Sequence, residues 1–126
     1  MASARHQAQR YGRLAETLAS AYLRCKGYRI LARNLRNHYG EIDIVARRGT
    51  TLVAVEVKAR RHLADCAQAV TPLQQQRIAR ALQSVLAKST GLAGAPPGNM
   101  SHDIRFDVIW LARGAWPVHI KDAWRL

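Results

Sequence analysis

The chain is short of acids. Eight Asp and Glu stand against 20 Lys and Arg in 126 residues, a formal net charge of +12. Cysteine is scarce too: Cys25 and Cys66 match no metal-binding or redox spacing. That excludes a disulfide scaffold and leaves a reduced, cytoplasmic protein as the natural reading. No apolar run approaches the roughly 20 residues that a bilayer crossing needs. Arg5, Arg10 and Arg13 break the opening stretch, so no signal-peptide apolar segment fits there. A membrane-surface role is disfavoured because no basic amphipathic helix carries an aromatic apolar face. His6, His38, His62, His102 and His119 show no HxxxH or HExxH spacing and read as structural or solvated.

What remains is globular composition, 48% hydrophobic and 22% charged, in a chain of one-domain length. Residues 1–126 are expected to form a single domain, with 1–9 as an arm and the Gly/Pro-rich stretch 90–101 as a loop. The charge is uneven. Residues 1–61 carry thirteen bases against four acids, a net +9, and residues 62–126 carry seven against four, +3. Such a field attracts polyanions, of which nucleic-acid backbones are the commonest in the cytosol.

The spacing predicts a helix over 10–26, with Leu14, Leu18, Ala21 and Cys25 on its core face at steps of four, three and four. Gly27 ends it. YRILARNL (28–35), EIDIVAR (41–47) and TLVAVEVKA (51–59) read as strands, the last two joined as a hairpin. Thr71 caps a helix opening at Pro72 and running to about Ser89. IRFDVIWLA (104–112) is a further strand, and Val118–Ile120 has the makings of a short one. The order is α-β-β-β-α-β, an α/β domain with a central mixed sheet flanked by helices. Trp110, Trp116 and Trp124 are read as packing residues, and so are Tyr11 and Tyr39.

The chemistry concentrates in Gly40–Lys58, where the rare acids Glu41, Asp43 and Glu56 sit on adjacent strands. A two-residue turn at Arg48-Gly49 sets Asp43 opposite Ala54 and Glu41 opposite Glu56. Glu41, Asp43, Glu56 and Lys58 then emerge on one face. Asp43 and Glu56 become diagonal neighbours, roughly 7–8 Å apart at the backbone. Glu56 lies within the apolar run Leu52–Val57, where an unpaired carboxylate is costly. A hard divalent cation, Mg²⁺ or Mn²⁺, would satisfy both acids. An ordinary Glu56–Lys58 strand ion pair with a solvated Asp43 is the competing reading of the spacing alone.

GEIDIVARRGTTLVAVEVKAR resembles the core motif of the PD-(D/E)xK superfamily, which includes restriction enzymes and archaeal Holliday-junction resolvases. The whole chain is similar to the bacterial YraN family through YGRLAETLASAYLRCKGYRILARNLR, the hairpin, AVTPLQQQRI, IRFDVIWL and HIKDAW. The resemblance implies a restriction-endonuclease-like fold and a Mg²⁺- or Mn²⁺-dependent endonuclease acting on structured or branched DNA. It implies Asp43 and Glu56 as metal-binding acids and Lys58 as the catalytic lysine. The Val57 carbonyl and Glu16 from the first helix are the further ligands it suggests. Glu16 lies about 200° around from Leu14, and a surface acid paired with Ser20 or Arg13 is its alternative. Ile42 stands where many relatives of the superfamily have proline. Glu41 lies beside the site or caps its strand, and a helix glutamine, Gln74, Gln75 or Gln76, flanks it, with Gln75 the one selected. Arg47, Arg48, Arg60 and Arg61, with Arg33 and Arg36, are placed to grip phosphates. Pairing of two copies is left open. The alternatives are an inactive nucleic-acid-binding module on a nuclease scaffold and a basic RNA-associated protein.

Overall fold

The computed structural model of the chain describes residues 4–66, 70–87 and 103–125. Helix α1 spans Ala4–Cys25, so the expected arm is already helical from Ala4; the expected loop 90–101 lies outside the described residues. Strands β1 (Arg29–Asn37), β2 (Gly40–Arg48) and β3 (Thr51–Arg60) follow. A single 3-10 turn at Leu63–Cys66 precedes helix α2 (Pro72–Ala87), then strands β4 (Asp103–Ala112) and β5 (Val118–Trp124).

The five strands lie side by side in sequence order. All neighbours are antiparallel except β3 and β4, which are parallel and whose connection includes α2. The architecture is therefore α/β with a mixed sheet, consistent with a nuclease-like fold. β5 is longer than the short element expected from sequence.

The sheet is apolar on both faces because a helix covers each. On one side Ile42, Val45, Leu52, Ala54, Phe106 and Val108 pack with Ile78, Ala81 and Leu82 of α2. On the other, Ile44, Ala46, Val53, Val55 and Ile109 pack with Ala19 and Leu23 of α1. That is why β3 reads as a near-continuous hydrophobic run rather than an alternating one.

The caps work as the sequence suggests. Tyr28 N–H donates to the Leu23 carbonyl and Gly27 N–H to that of Arg24, each at 3.0 Å, with Gly27 at φ 90°. This is a Schellman closure, which needs a left-handed residue at that position. Thr71 Oγ1 accepts from Gln74 N–H at 3.2 Å at the start of α2.

The orientation of α1 differs from expectation. Its buried side is Ala15, Glu16, Ala19, Ser20 and Leu23, while Leu14 and Leu18 are 55% and 52% exposed and Cys25 is exposed. The apolar arc is wider than one contact face, and the small alanines let the helix sit closer to the sheet than a leucine stripe would.

Candidate functional site

The β2–β3 ladder runs Arg48↔Thr51, Arg47↔Leu52, Ala46↔Val53, Val45↔Ala54 and Ile44↔Val55, and there it ends. The turn is Gly49-Thr50, not Arg48-Gly49, so the register is shifted by two residues from that expected. The shift keeps the side-chain parity. The next positions beyond the last pair are Asp43 and Glu56. Glu41 is not opposite Glu56; it pairs with Arg36 at 3.2 Å on the exposed rim of β1 and β2.

Where the ladder opens, the Val57 N–H donates to Asp43 Oδ2 at 2.8 Å instead of to a strand carbonyl. The carboxylate thereby takes over a backbone partner that the parting strands would leave unpaired. The Asp43 and Glu56 side chains also share a hydrogen bond. Glu56 Oε1 lies 3.3 Å from Lys58 Nζ and accepts from Gln74 Nε2 of α2 at 3.2 Å. Gln75, the glutamine selected from sequence, donates instead to the Val70 carbonyl.

Helix α1 closes the other wall. Glu16 is buried, its Oε2 has no hydrogen-bond partner, and Asn34 hydrogen-bonds its side chain. Asn34 sits at φ 52°, between the Arg33↔Ile44 and Leu35↔Ile42 pairs and hence alongside Asp43. Asparagine tolerates that left-handed conformation. Nothing in the local sequence singles out Asn34, because its role depends on a helix that lies elsewhere in the chain. A cleft of about 380 Å³ is lined by Gly12, Ala15, Glu16, Asp43, Glu56, Val57, Lys58, Ala59 and Arg60.

The electrostatics of this cleft are those of acids crowded out of water. Burial, then the charge of Asp43, pushes Glu56 up to about 8, against the pull of Lys58. Burial also raises Asp43, opposed by the Val57 N–H, and raises Glu16, with the charge of Asp43 adding to it. Near neutrality the Asp43–Glu56 pair therefore holds a proton.

The arginines divide. Arg60 lines the cleft, Arg61 is exposed just beyond it, and Arg33 donates to Thr17 Oγ1 on α1 at 2.9 Å. Arg36 is engaged by Glu41. Arg47 and Arg48 lie at the hairpin tip, about 15 Å along β2 from Asp43 at the usual strand rise. Arg48 rests over the Tyr28 ring at 5.5 Å and Arg47 donates to the Gly49 carbonyl. These two do not flank the cleft.

A second polar cluster escaped the sequence reading. Asp107 is fully buried and accepts both arms of Arg105 at 2.8 Å, the Asp122 N–H at 2.9 Å and His119 Nε2 at 2.7 Å. Lys26 Nζ lies 2.6 Å from His119 Nδ1, and Arg105 donates to the Tyr28 hydroxyl. An ammonium only donates, so Nδ1 accepts and Nε2–H points at Asp107. This network ties β4 and β5 to the end of α1 and borders none of the cleft.

An α/β domain with a mixed sheet between two helices, bearing two acids and a lysine where paired strands part, is the class that fold and site define. The chain belongs to Uncharacterised protein family UPF0102, the YraN family, whose model matches residues 15–111. It is 47% identical to a UPF0102 protein of Parvibaculum lavamentivorans over 118 residues, covering 94% of this chain and 84% of that one. It is 45% identical to one from Paramagnetospirillum magneticum (96% and 92% covered) and 51% identical to one from Nitrobacter winogradskyi (89% of each).

Proposed function

We propose that the chain is a metal-dependent endonuclease of the PD-(D/E)xK type that hydrolyses phosphodiester bonds in structured or branched DNA. The observation that carries this is the meeting of Glu16, Asp43, Glu56 and Lys58 in one cleft, with two acids sharing a hydrogen bond and a third oxygen left without a partner. Crowded buried acids with an orphaned carboxylate oxygen suit a bound divalent cation better than a purely structural ion pair.

Mg²⁺ or Mn²⁺ fits this donor set. Such ions take oxygen ligands and keep several waters, so one or two carboxylates suffice. Asp43, Glu56 and the Val57 carbonyl would hold the ion, with Glu16 within the same cleft. Among the described residues no three His, Cys, Asp or Glu side chains are grouped to hold an ion by themselves, so water would have to complete the shell around Asp43 and Glu56. When bound, the ion polarises the scissile phosphate and lowers the pKa of a water.

The chain's own groups do the rest. With an ion bound, Asp43 and Glu56 would give up the proton they hold between them, since ligating carboxylates must be deprotonated. Lys58, whose ammonium lies 3.3 Å from Glu56, would offset negative charge developing on the phosphate. Arg60 lines the cleft, and Arg33, bonded to Thr17, adds positive charge that reaches Glu16; such charge positions a backbone without reading bases. The net charge of +12 supports a polyanionic partner.

The test is incubation with four-way junction, flap, single-stranded and duplex DNA, and with RNA, in Mg²⁺ or Mn²⁺. Wild type is compared with Asp43→Ala, Glu56→Ala and Lys58→Ala. Cutting by wild type alone, with salt-sensitive binding kept by all, is the expected result. Salt-sensitive binding in EDTA with no cleavage in any metal would leave a binding module instead; cleavage of RNA alone would redirect the substrate.

A further inference from the structure

The stripe Leu14, Leu18, Ala21 and Cys25 faces outward, yet it has the four-three-four spacing of a helix-packing seam. It forms one wall of an apolar groove of about 690 Å³ whose other wall is the β4–β5 turn with Trp116 and Pro117, and whose floor includes Leu111. Trp116 is not a packing residue: it is 86% exposed. The groove adjoins the carboxylate cleft, since Ala15 and Ala59 line both.

We infer that this face is the interface of a two-fold homodimer, with α1 packed antiparallel on its counterpart and each Trp116 covering the other protomer's groove. A two-fold contact makes one patch meet itself, so it needs apolar knobs and holes side by side and no net charge. This patch comes close to that in a chain of net charge +12: among the described residues lining the groove, Arg113 alone is charged. Elsewhere the basic surface repels a second copy. Exposed apolar area supports it as well. Trp116 at 86% exposed, with the two half-exposed leucines, presents roughly 350 Å². That approaches half of the ~800 Å² each partner contributes to a stable interface. Alanines, Tyr22, Cys25 and Pro117 are positioned to add to it. A nucleic-acid occupant fits less well, because the groove is overwhelmingly apolar and, among its described lining residues, Arg113 alone offers phosphate a charge.

The experiment is light scattering or sedimentation of the full chain over a concentration series to roughly 100 µM, without DNA. Wild type is expected to approach twice 14.1 kDa. Leu18→Glu should stay at the single-chain mass, and Trp116→Ala should weaken association about tenfold or more. Both side chains are exposed, so thermal unfolding measured at monomeric dilution should match wild type. Should a variant fail to fold, cysteine pairs serve instead. In a Cys25→Ser, Cys66→Ser background, Leu18→Cys or Ala21→Cys should cross-link on mild oxidation, and Tyr39→Cys, outside the groove, should not. A wild type that stays at 14.1 kDa throughout overturns the inference. So does self-association unchanged in both variants, or a monomer whose Trp116 fluorescence is quenched by single-stranded DNA. Mass is read whether or not DNA is cut, so this inference and the nuclease reading fail independently.

Discussion

The Val57 N–H meets Asp43 Oδ2 at 2.8 Å just beyond the last bridged pair of β2 and β3, Ile44↔Val55. One carboxylate thus serves two ends: it finishes a strand ladder with one oxygen and presents the rest of its acceptor capacity to the cleft. Asp43→Asn keeps an amide oxygen for Val57 while losing the charge. It should therefore unfold at close to the wild-type temperature, whereas Asp43→Ala should cost about 1–3 kcal/mol by stranding that N–H. Both should lower cleavage by at least about 100-fold. Thermal melts and single-turnover cleavage on the two variants check the separation.

Glu56 makes stability fall with rising pH. Its folded-state pKa, about 8, lies above its ordinary 4.5. The unfolded chain releases this proton first, so the stabilising contribution is complete below pH 4.5 and is lost as pH rises through 8. Glu56→Gln should flatten that slope and raise the melting temperature above pH 8, with little change at pH 4. Mg²⁺ or Mn²⁺, which favours the deprotonated pair, should stabilise wild type more at pH 9 than at pH 6. Melts across pH with and without metal read both effects and need no substrate.

Asp107 acts in the opposite sense. Burial alone would raise it, but hydrogen bonds from His119, Arg105 and the Asp122 N–H prevail and lower it to about 2. Its contribution is present above pH 3.8 and disappears as pH falls through 2. Asp107→Asn should destabilise by about 2–3 kcal/mol at neutral pH, since it removes the charge that Arg105 and His119 face. Urea unfolding at pH 7 and at pH 2 should show the gap between variant and wild type closing in acid.

The arginines should separate by position. Arg60→Ala should weaken DNA binding and lower the magnitude of the salt dependence by about one in log–log slope. Arg48→Ala should leave that slope alone and cost up to about 1 kcal/mol of stability through the lost contact with the Tyr28 ring. Equilibrium binding from low to moderate salt, paired with a melt of each variant, checks the division.

Much of this was legible in residue order. β-branched runs, Thr71-Pro72 and Gly27 carry strand, cap and stop signals within a few positions of themselves, and the elements fall within a few residues of expectation, except at the ends of α1 and β5. The parity of Asp43, Glu56 and Lys58 was also legible, because either two-residue turn keeps it, whereas an odd-length loop would have set Asp43 and Glu56 on opposite faces. Their register was not. Arg48-Gly49 and Gly49-Thr50 are both workable two-residue turns, and only packing of Ile44 against Val55 and the α1 core selects one. Gln74 against Gln75 could not be decided either, since the choice depends on how α2 is rotated over β3.

By itself the sequence determined which residue types exist to do chemistry: few acids, three of them clustered near one lysine, in a strongly basic chain whose local signals specify helix and strand. Tertiary structure alone decided which half of α1 faces the sheet, and with it that Glu16 turns inward while Leu14, Leu18 and Trp116 turn out. The reason is physical. Periodicity records how wide an apolar arc is, but which part of that arc is buried depends on how closely the neighbouring sheet can approach, and that distance is a property of the assembled fold.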